Sequence, residues 1–118
     1  MDRDRRIETL LPLRPVEFHV LLSLAGGERH GYGIMQDARE RGEAVPDIGT
    51  LYRALARMVD QWFIESGERR AAADSGEERR NYYRITALGR NVAKAEARRL
   101  EALTRAARIG GLLAKEAK

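Results

Sequence analysis

The sequence predicts a mainly α-helical fold carrying one small β-hairpin, and three observations predict it. Apolar residues recur at helical spacing in three successive segments between Pro15 and Val59. The period then shortens to alternation in two runs, FIESGERR and RRNYYRI, which flank the polar turn AAADSGEE. From about residue 87 the helical spacing returns and persists to about residue 107.

The first helix follows a short polar start, in LRPVEFHVLLSLAGG. Pro15 suits its first turn, Val16, Val20, Leu21 and Leu24 form its stripe, and Gly26-Gly27 ends it. Phe18 and Leu22 lie off that stripe. A helix apolar on two sides needs two neighbours, so one side is expected to meet another helix or a second subunit. The second helix, HGYGIMQDARERG, has Ile34, Met35 and Ala38 as inner positions and Gly42 as its end. Gly31 and Gly33 at its start suggest a close backbone approach.

Asp47 is a fair N-cap for the third helix. Leu51, Leu55, Met58 and Val59 make its expected buried stripe. Thr50, Arg53, Ala56 and Arg57 form the opposite face, and Ala54 and Ala56 keep the helix slim. In the second strand Asn81, Tyr83 and Ile85 point one way, Tyr82 and Arg84 the other. Thr86 can cap the last helix, whose apolar positions include Leu88, Val92, Ala95, Leu100, Leu103 and Ala107. Gly110-Gly111 should weaken or interrupt it. Helix, helix, helix, hairpin, long helix is the order of a winged helix-turn-helix with an appended helix.

Composition bounds the function. The chain of 118 residues is sized for one domain, with 43% hydrophobic and 34% charged residues. No apolar run approaches a membrane span, and MDRDRRIE lacks the apolar stretch of a signal peptide. The absence of cysteine fits a reducing interior, so the expected location is the cytoplasm. The net charge is +4, but residues 90–118 carry eight Lys or Arg against three acids while residues 9–64 carry six Arg against seven. The basic excess therefore lies in the last segment, and net charge alone makes no case for a nucleic-acid partner.

The third helix makes a better one. Arg53 and Arg57 can bond guanine O6 and N7 in a major groove, and Thr50 can serve a phosphate or a base edge. The competing reading of that face is an ordinary solvated one. Tyr52, at the edge of the stripe, can either reach a phosphate oxygen or simply cap the core. Arg69 and Arg70 on one side of the hairpin, with Arg79 and Arg80 on the other, can lie along phosphates or pair across the strands with neighbouring acids. His30 has only His19 as a second histidine, and no spacing assembles a metal-ligand set, so it is structural or a phosphate contact. No nucleophile–base pair and no phosphate loop is present, which argues against an enzyme and implies no cofactor.

HGYGIMQ, GTLYRALARM, FIE and RRNYYRITALGR, in this order over roughly residues 13–92, resemble the successive signatures of the PadR family of bacterial transcriptional regulators. The length resembles that family's short branch, with a single C-terminal dimerisation helix. The resemblance implies a homodimeric, winged-helix protein that binds double-stranded DNA at an inverted repeat. It also implies a repressor, sometimes released by a small-molecule effector. It divides the chain into an N-terminal arm (1–12), a DNA-binding domain (13–86) and a C-terminal dimerisation helix with its tail (87–118). Family-style DNA contacts map onto Tyr32, Thr50, Tyr52, Arg53 and the wing arginines. Phe18, Leu22, Val92, Leu100 and Leu103 are the expected dimer interface.

Two residues depart from the family pattern. Ile48 stands where Pro often precedes GTLY. Trp62 stands where Gly usually ends the third helix in a left-handed conformation that costs a residue with a Cβ about 1–2 kcal/mol. Either the helix ends differently or the ring recovers the cost by burial. Helix phase continued from Leu51 returns position 62 to the buried side, so a core or interface aromatic is expected ahead of a ligand-stacking role. Two rival functions share the fold. One is a protein–protein contact module without DNA, and the other is a ligand sensor with little DNA affinity.

Overall fold

A computed structural model of the chain describes residues 7–43, 47–67 and 82–115. After a helical turn at 7–9, the elements are α1 (Pro15–Ala25), β1 (Arg29–His30), α2 (Gly31–Glu40), α3 (Ile48–Asp60), β2 (Ile64–Ser66), β3 (Tyr82–Ile85) and α4 (Ala87–Ile109). No helix among the described residues is long and apolar enough to cross a membrane. The expected helices are all present. The tips of the two expected hairpin strands fall outside the described residues.

Each helix start has a local cause. The backbone N–H of Arg14 donates to Glu17 three residues on, and Pro15 occupies the first turn of α1. The side chains of His30, Asp47 and Thr86 accept the N–H groups of Gly33, Thr50 and Gly89, at 3.1, 2.8 and 2.9 Å. The core joins Val20, Leu21 and Leu24 of α1 to Ile34 of α2 and to Leu51, Leu55 and Met58 of α3. Phe63, Ile64, Tyr83 and Val92 close it. Between α1 and α2, the Asp37 carboxylate meets Arg41 and Arg29. Burial pushes its pKa up, but a hydrogen bond with Ser23 and the two arginines outweigh that and hold it below the usual value.

Position 54 differs from expectation. Ala54 is fully buried, at 0% exposure, and belongs to the core side of α3, while Val59 is 37% exposed at the edge. The expectation of Ala54 as an outward, slimming residue is therefore corrected: the core requires a small residue there.

The sheet has three strands in the order β1-β3-β2, all antiparallel. β2 pairs with β3 in the register Ile64↔Ile85, Glu65↔Arg84, Ser66↔Tyr83, and β1 adds Arg29↔Tyr83 and His30↔Tyr82. The strand β1 was not anticipated, since two residues carry no alternation. Arg84 ties the sheet together, donating to Glu65 at 2.7 Å and lying 3.7 Å from Glu28.

Three helices end alike. After α2, α3 and α4 the chain turns through one left-handed residue: Gly42 (φ 82°), Trp62 (φ 65°) and Gly111 (φ 82°). In α3 the N–H of Trp62 bonds Val59 O at 3.0 Å and that of Phe63 bonds Met58 O at 3.0 Å. This pair of bonds defines a Schellman cap, with buried Phe63 and Met58 as its apolar contact. So Trp62 occupies a glycine position and adopts the glycine conformation. Its ring does not go into the protomer core, for it is 68% exposed. The expectation of a core aromatic is corrected: the helix stops at Asp60, and reversal of the chain hands the inward place to Phe63. Trp62→Gly should raise the unfolding free energy by about 1 kcal/mol, the left-handed cost partly offset by the greater chain entropy of glycine. Urea unfolding at fixed protein concentration measures it, and a fall in stability would mean that the ring is buried on assembly.

α4 crosses α1 and β3 and then leaves the body. Its seat uses a buried carboxylate. Glu96 is 2% exposed and accepts from Arg99 Nε and Nη2, each at 2.8 Å. Those hydrogen bonds outweigh burial, and with the Arg99 charge and a backbone hydrogen bond from Leu13 they hold the carboxyl below its usual pKa. The lowered pKa means that Glu96 stabilises the fold fully above the unfolded value of about 4.5 and loses that contribution as pH falls through the lower folded value. Glu96→Gln should therefore melt below wild type at pH 7, and the gap should narrow in acid. Thermal melts across that range check it.

Candidate nucleic-acid interface

The N-terminal ends of α2 and α3 meet through one close contact. A Cβ on Gly31 would stand 2.6 Å from the hydroxyl oxygen of Tyr52 and 2.7 Å from its Cζ. Gly31, the first residue of α2, thus leaves room for the Tyr52 ring, which explains the glycine that the sequence marked as a close approach. Local spacing does not identify the residue that fills that space, because Tyr52 lies on another helix. Tyr52 remains 45% exposed, and Tyr32, next to Gly31, is 47% exposed. His30 sets the start of α2 as its N-cap and stacks edge-on to Tyr82, with ring centroids 5.3 Å apart.

Arg53 completes this surface. Its Nη2 donates to Thr50 Oγ1 at 3.1 Å, so its guanidinium folds back over the first turn of α3. A Cβ on Gly49 would lie 3.4 Å from Arg53 Nη1 and 3.3 Å from Asp47 Oδ1. The backbone N–H of Thr50 holds the Asp47 carboxyl below its usual pKa, with a smaller contribution from the Arg53 charge, so the cap stays ionised. Tyr32, Thr50, Tyr52 and Arg53 thereby lie along two adjoining helix ends, offering hydroxyls and a guanidinium outward. That is hydrogen-bonding chemistry suited to phosphates and base edges.

Arg57 stands apart from this group. Its Nε lies 3.9 Å from Glu17 Oε2 of α1, and that nitrogen is buried without a hydrogen-bond partner among the described residues. The side chain is drawn toward α1 rather than extended beside Arg53. Arg69, Arg70, Arg79 and Arg80 lie outside the described residues.

Of the expected interface residues, Leu103 is 54% exposed, Leu22 is 40% exposed, and Phe18 and Leu100 are half-buried. Val92 is corrected: at 0% exposure it belongs to the protomer's own core and presents nothing to a second chain. A cleft of about 670 Å³ runs between Ile7, Glu8 and Leu11 on one side and Asn91, Lys94, Ala95, Arg98 and Arg99 of α4 on the other. Trp62, for which ligand stacking is the less favoured of the two expected roles, does not line it.

A family model for the transcriptional regulator PadR-like family matches residues 20–95. The chain belongs to the PadR-like family. The matched segment runs from mid-α1 through α2, α3 and the sheet into α4, so it includes the whole convergence of Gly31 on Tyr52. A PadR family transcription regulator from Clostridium difficile is 25% identical, with 78% of this chain and 93% of that one covered and a TM-score of 0.68. A transcriptional regulator from Clostridium thermocellum is 26% identical over 94% of this chain and 96% of its own, with a TM-score of 0.66. Bacillus subtilis PadR in complex with operator DNA is 21% identical, covering 70% of this chain and 46% of that one at a TM-score of 0.59. No curated protein matches the sequence. The PadR-like fold here is the winged helix-turn-helix with its long C-terminal helix.

Proposed function

We propose that this PadR-like protein is a sequence-specific, DNA-binding transcriptional regulator that acts in the cytoplasm as a homodimeric repressor, released by a small-molecule effector. The observation that carries the reading is the seating of Tyr52 over Gly31. It fuses the ends of α2 and α3 into one surface bearing Tyr32, Thr50, Tyr52 and Arg53. The reading head spans residues 13–86, with α3 in the major groove and the wing arginines along the flanking phosphates. The Bacillus subtilis relative bound to operator DNA supports this reading.

Dimerisation is supported by shape. The radius of gyration is 16.2 Å, above the roughly 13–14 Å of a compact chain of this length. In the far half of α4, Leu103 and Ile109 are 54 and 82% exposed. A solvated helix bearing those side chains is stabilised by pairing with a second copy. The dimer joins the α4 helices, with Phe18 and Leu22 beside them, and holds two heads about 34 Å apart. An effector acts by favouring a different spacing of the heads.

Hydroxyl-radical footprinting on the duplex upstream of the protein's own gene tests the arrangement. The expected pattern is two protected stretches with centres about 10 base pairs apart, related by a two-fold axis. A single protected stretch would contradict the dimeric reading, and no protection would favour a protein-contact module.

A further inference from the structure

The first turn of α3 carries a side chain that the polar surface does not explain. Ile48 is the first helical residue, directly after the Asp47 cap, and is 45% exposed. It lies four residues before Tyr52, which shares its side of the helix and is equally exposed at 45%. Across Gly49 stands the Arg53 guanidinium, folded back onto Thr50. The start of α3 therefore carries an aliphatic group at Ile48 and, through the folded-back Arg53, a guanidinium near Gly49 and Thr50.

A lone exposed aliphatic residue is ordinary on a protein surface. What separates Ile48 is its place, since the N-terminal residues of a groove-entering helix are those that reach base edges. Helix formation does not call for it either, because proline is the favoured residue at that position. Among the four bases, only thymine presents an apolar group in the major groove, its 5-methyl, while arginine pairs with guanine O6 and N7.

We propose that Ile48 is a specificity-determining residue that reads the methyl group of a thymine. The inference rests on the DNA-reading function above and adds the base that is read. That thymine lies about two base pairs from the guanine met by Arg53, because Ile48 and Arg53 stand five residues apart on α3, about 7.5 Å of helix, and base pairs rise by about 3.4 Å. The family's common proline at this place would offer a flatter, more rigid contact. Isoleucine adds a branched methyl surface.

The test starts with selection of a tight duplex from a random DNA pool by the full-length protein. Each thymine of that duplex is then replaced in turn by deoxyuridine, which removes only the methyl group. In each half-site one replacement should weaken binding about fourfold, the factor expected for one buried methyl-sized group. Ile48→Ala should lose a similar factor on the thymine duplex and nothing further on the uracil duplex. Ile48→Val, with a branched side chain retained, should keep the preference. Uracil tolerated at every position, or the same uracil sensitivity in Ile48→Ala as in wild type, overturns the inference and leaves the DNA reading standing. Failure of any duplex to be enriched overturns both.

Discussion

Gly89→Ala should lower the unfolding free energy by about 3 kcal/mol, the top of the usual range for overpacking a core. A Cβ at position 89 would stand 2.0 Å from the backbone oxygen of Phe63 and 3.2 Å from Ile85 Cγ1. The oxygen has nowhere to go. It accepts the Thr86 N–H at 3.1 Å and the Thr86 hydroxyl at 3.0 Å, and Phe63 itself is 1% exposed in the core. Relief requires the start of α4 to lift from the α3–β2 junction, which breaks both bonds and loosens the cap of α4. The gain in helix propensity from glycine to alanine, about 1 kcal/mol, is too small to cancel this. Domains of this kind have stabilities of about 5–15 kcal/mol, so the loss is a large fraction. Urea unfolding at fixed protein concentration should show a lower midpoint with an unchanged slope. A midpoint equal to wild type would mean that α4 does not seat against Phe63.

Arg53→Ala should weaken operator binding by about 1–3 kcal/mol, a factor of roughly 5 to 150, while leaving stability within about 0.5 kcal/mol. Arg53 is exposed and its hydrogen bond is to Thr50 on the same turn, so its removal opens no cavity. The form of the loss identifies the contact. If Arg53 pairs with guanine, discrimination at one base pair relaxes. If it meets a phosphate, affinity falls for every sequence alike and the salt slope drops by about one. Equal binding by wild type and variant would remove Arg53 from the interface.

Much of the fold was legible because it is written in local terms. The caps Asp47 and Thr86, the glycine ends of α2 and α4, and the Leu51–Leu55–Met58 stripe each follow from neighbours within a few residues. What escaped depends on the chain meeting itself. β1 is a strand only because Arg29 and His30 pair with Tyr83 and Tyr82. Arg57 is drawn inward by Glu17, a residue forty positions earlier on α1. Trp62 escaped for a different reason. A helix wheel holds only while the helix continues, and a left-handed residue after Gln61 resets the phase, so Phe63 turns inward and Trp62 outward. The candidate site shows the same division. Thr50, Tyr52 and Arg53 could be read from one helix, but their junction with Tyr32 required the three-dimensional fit of Tyr52 over Gly31.

Sequence-specific DNA reading by this chain is tested by a salt-dependent binding titration. Fluorescence anisotropy would compare the duplex upstream of the protein's own gene with a scrambled duplex of equal length, from about 50 to 200 mM salt. The upstream duplex should bind at least about a thousandfold more tightly at physiological salt, and both affinities should fall steeply as salt rises. Equal affinity for the two duplexes throughout the series, or no binding even at the lowest salt, would contradict sequence-specific reading.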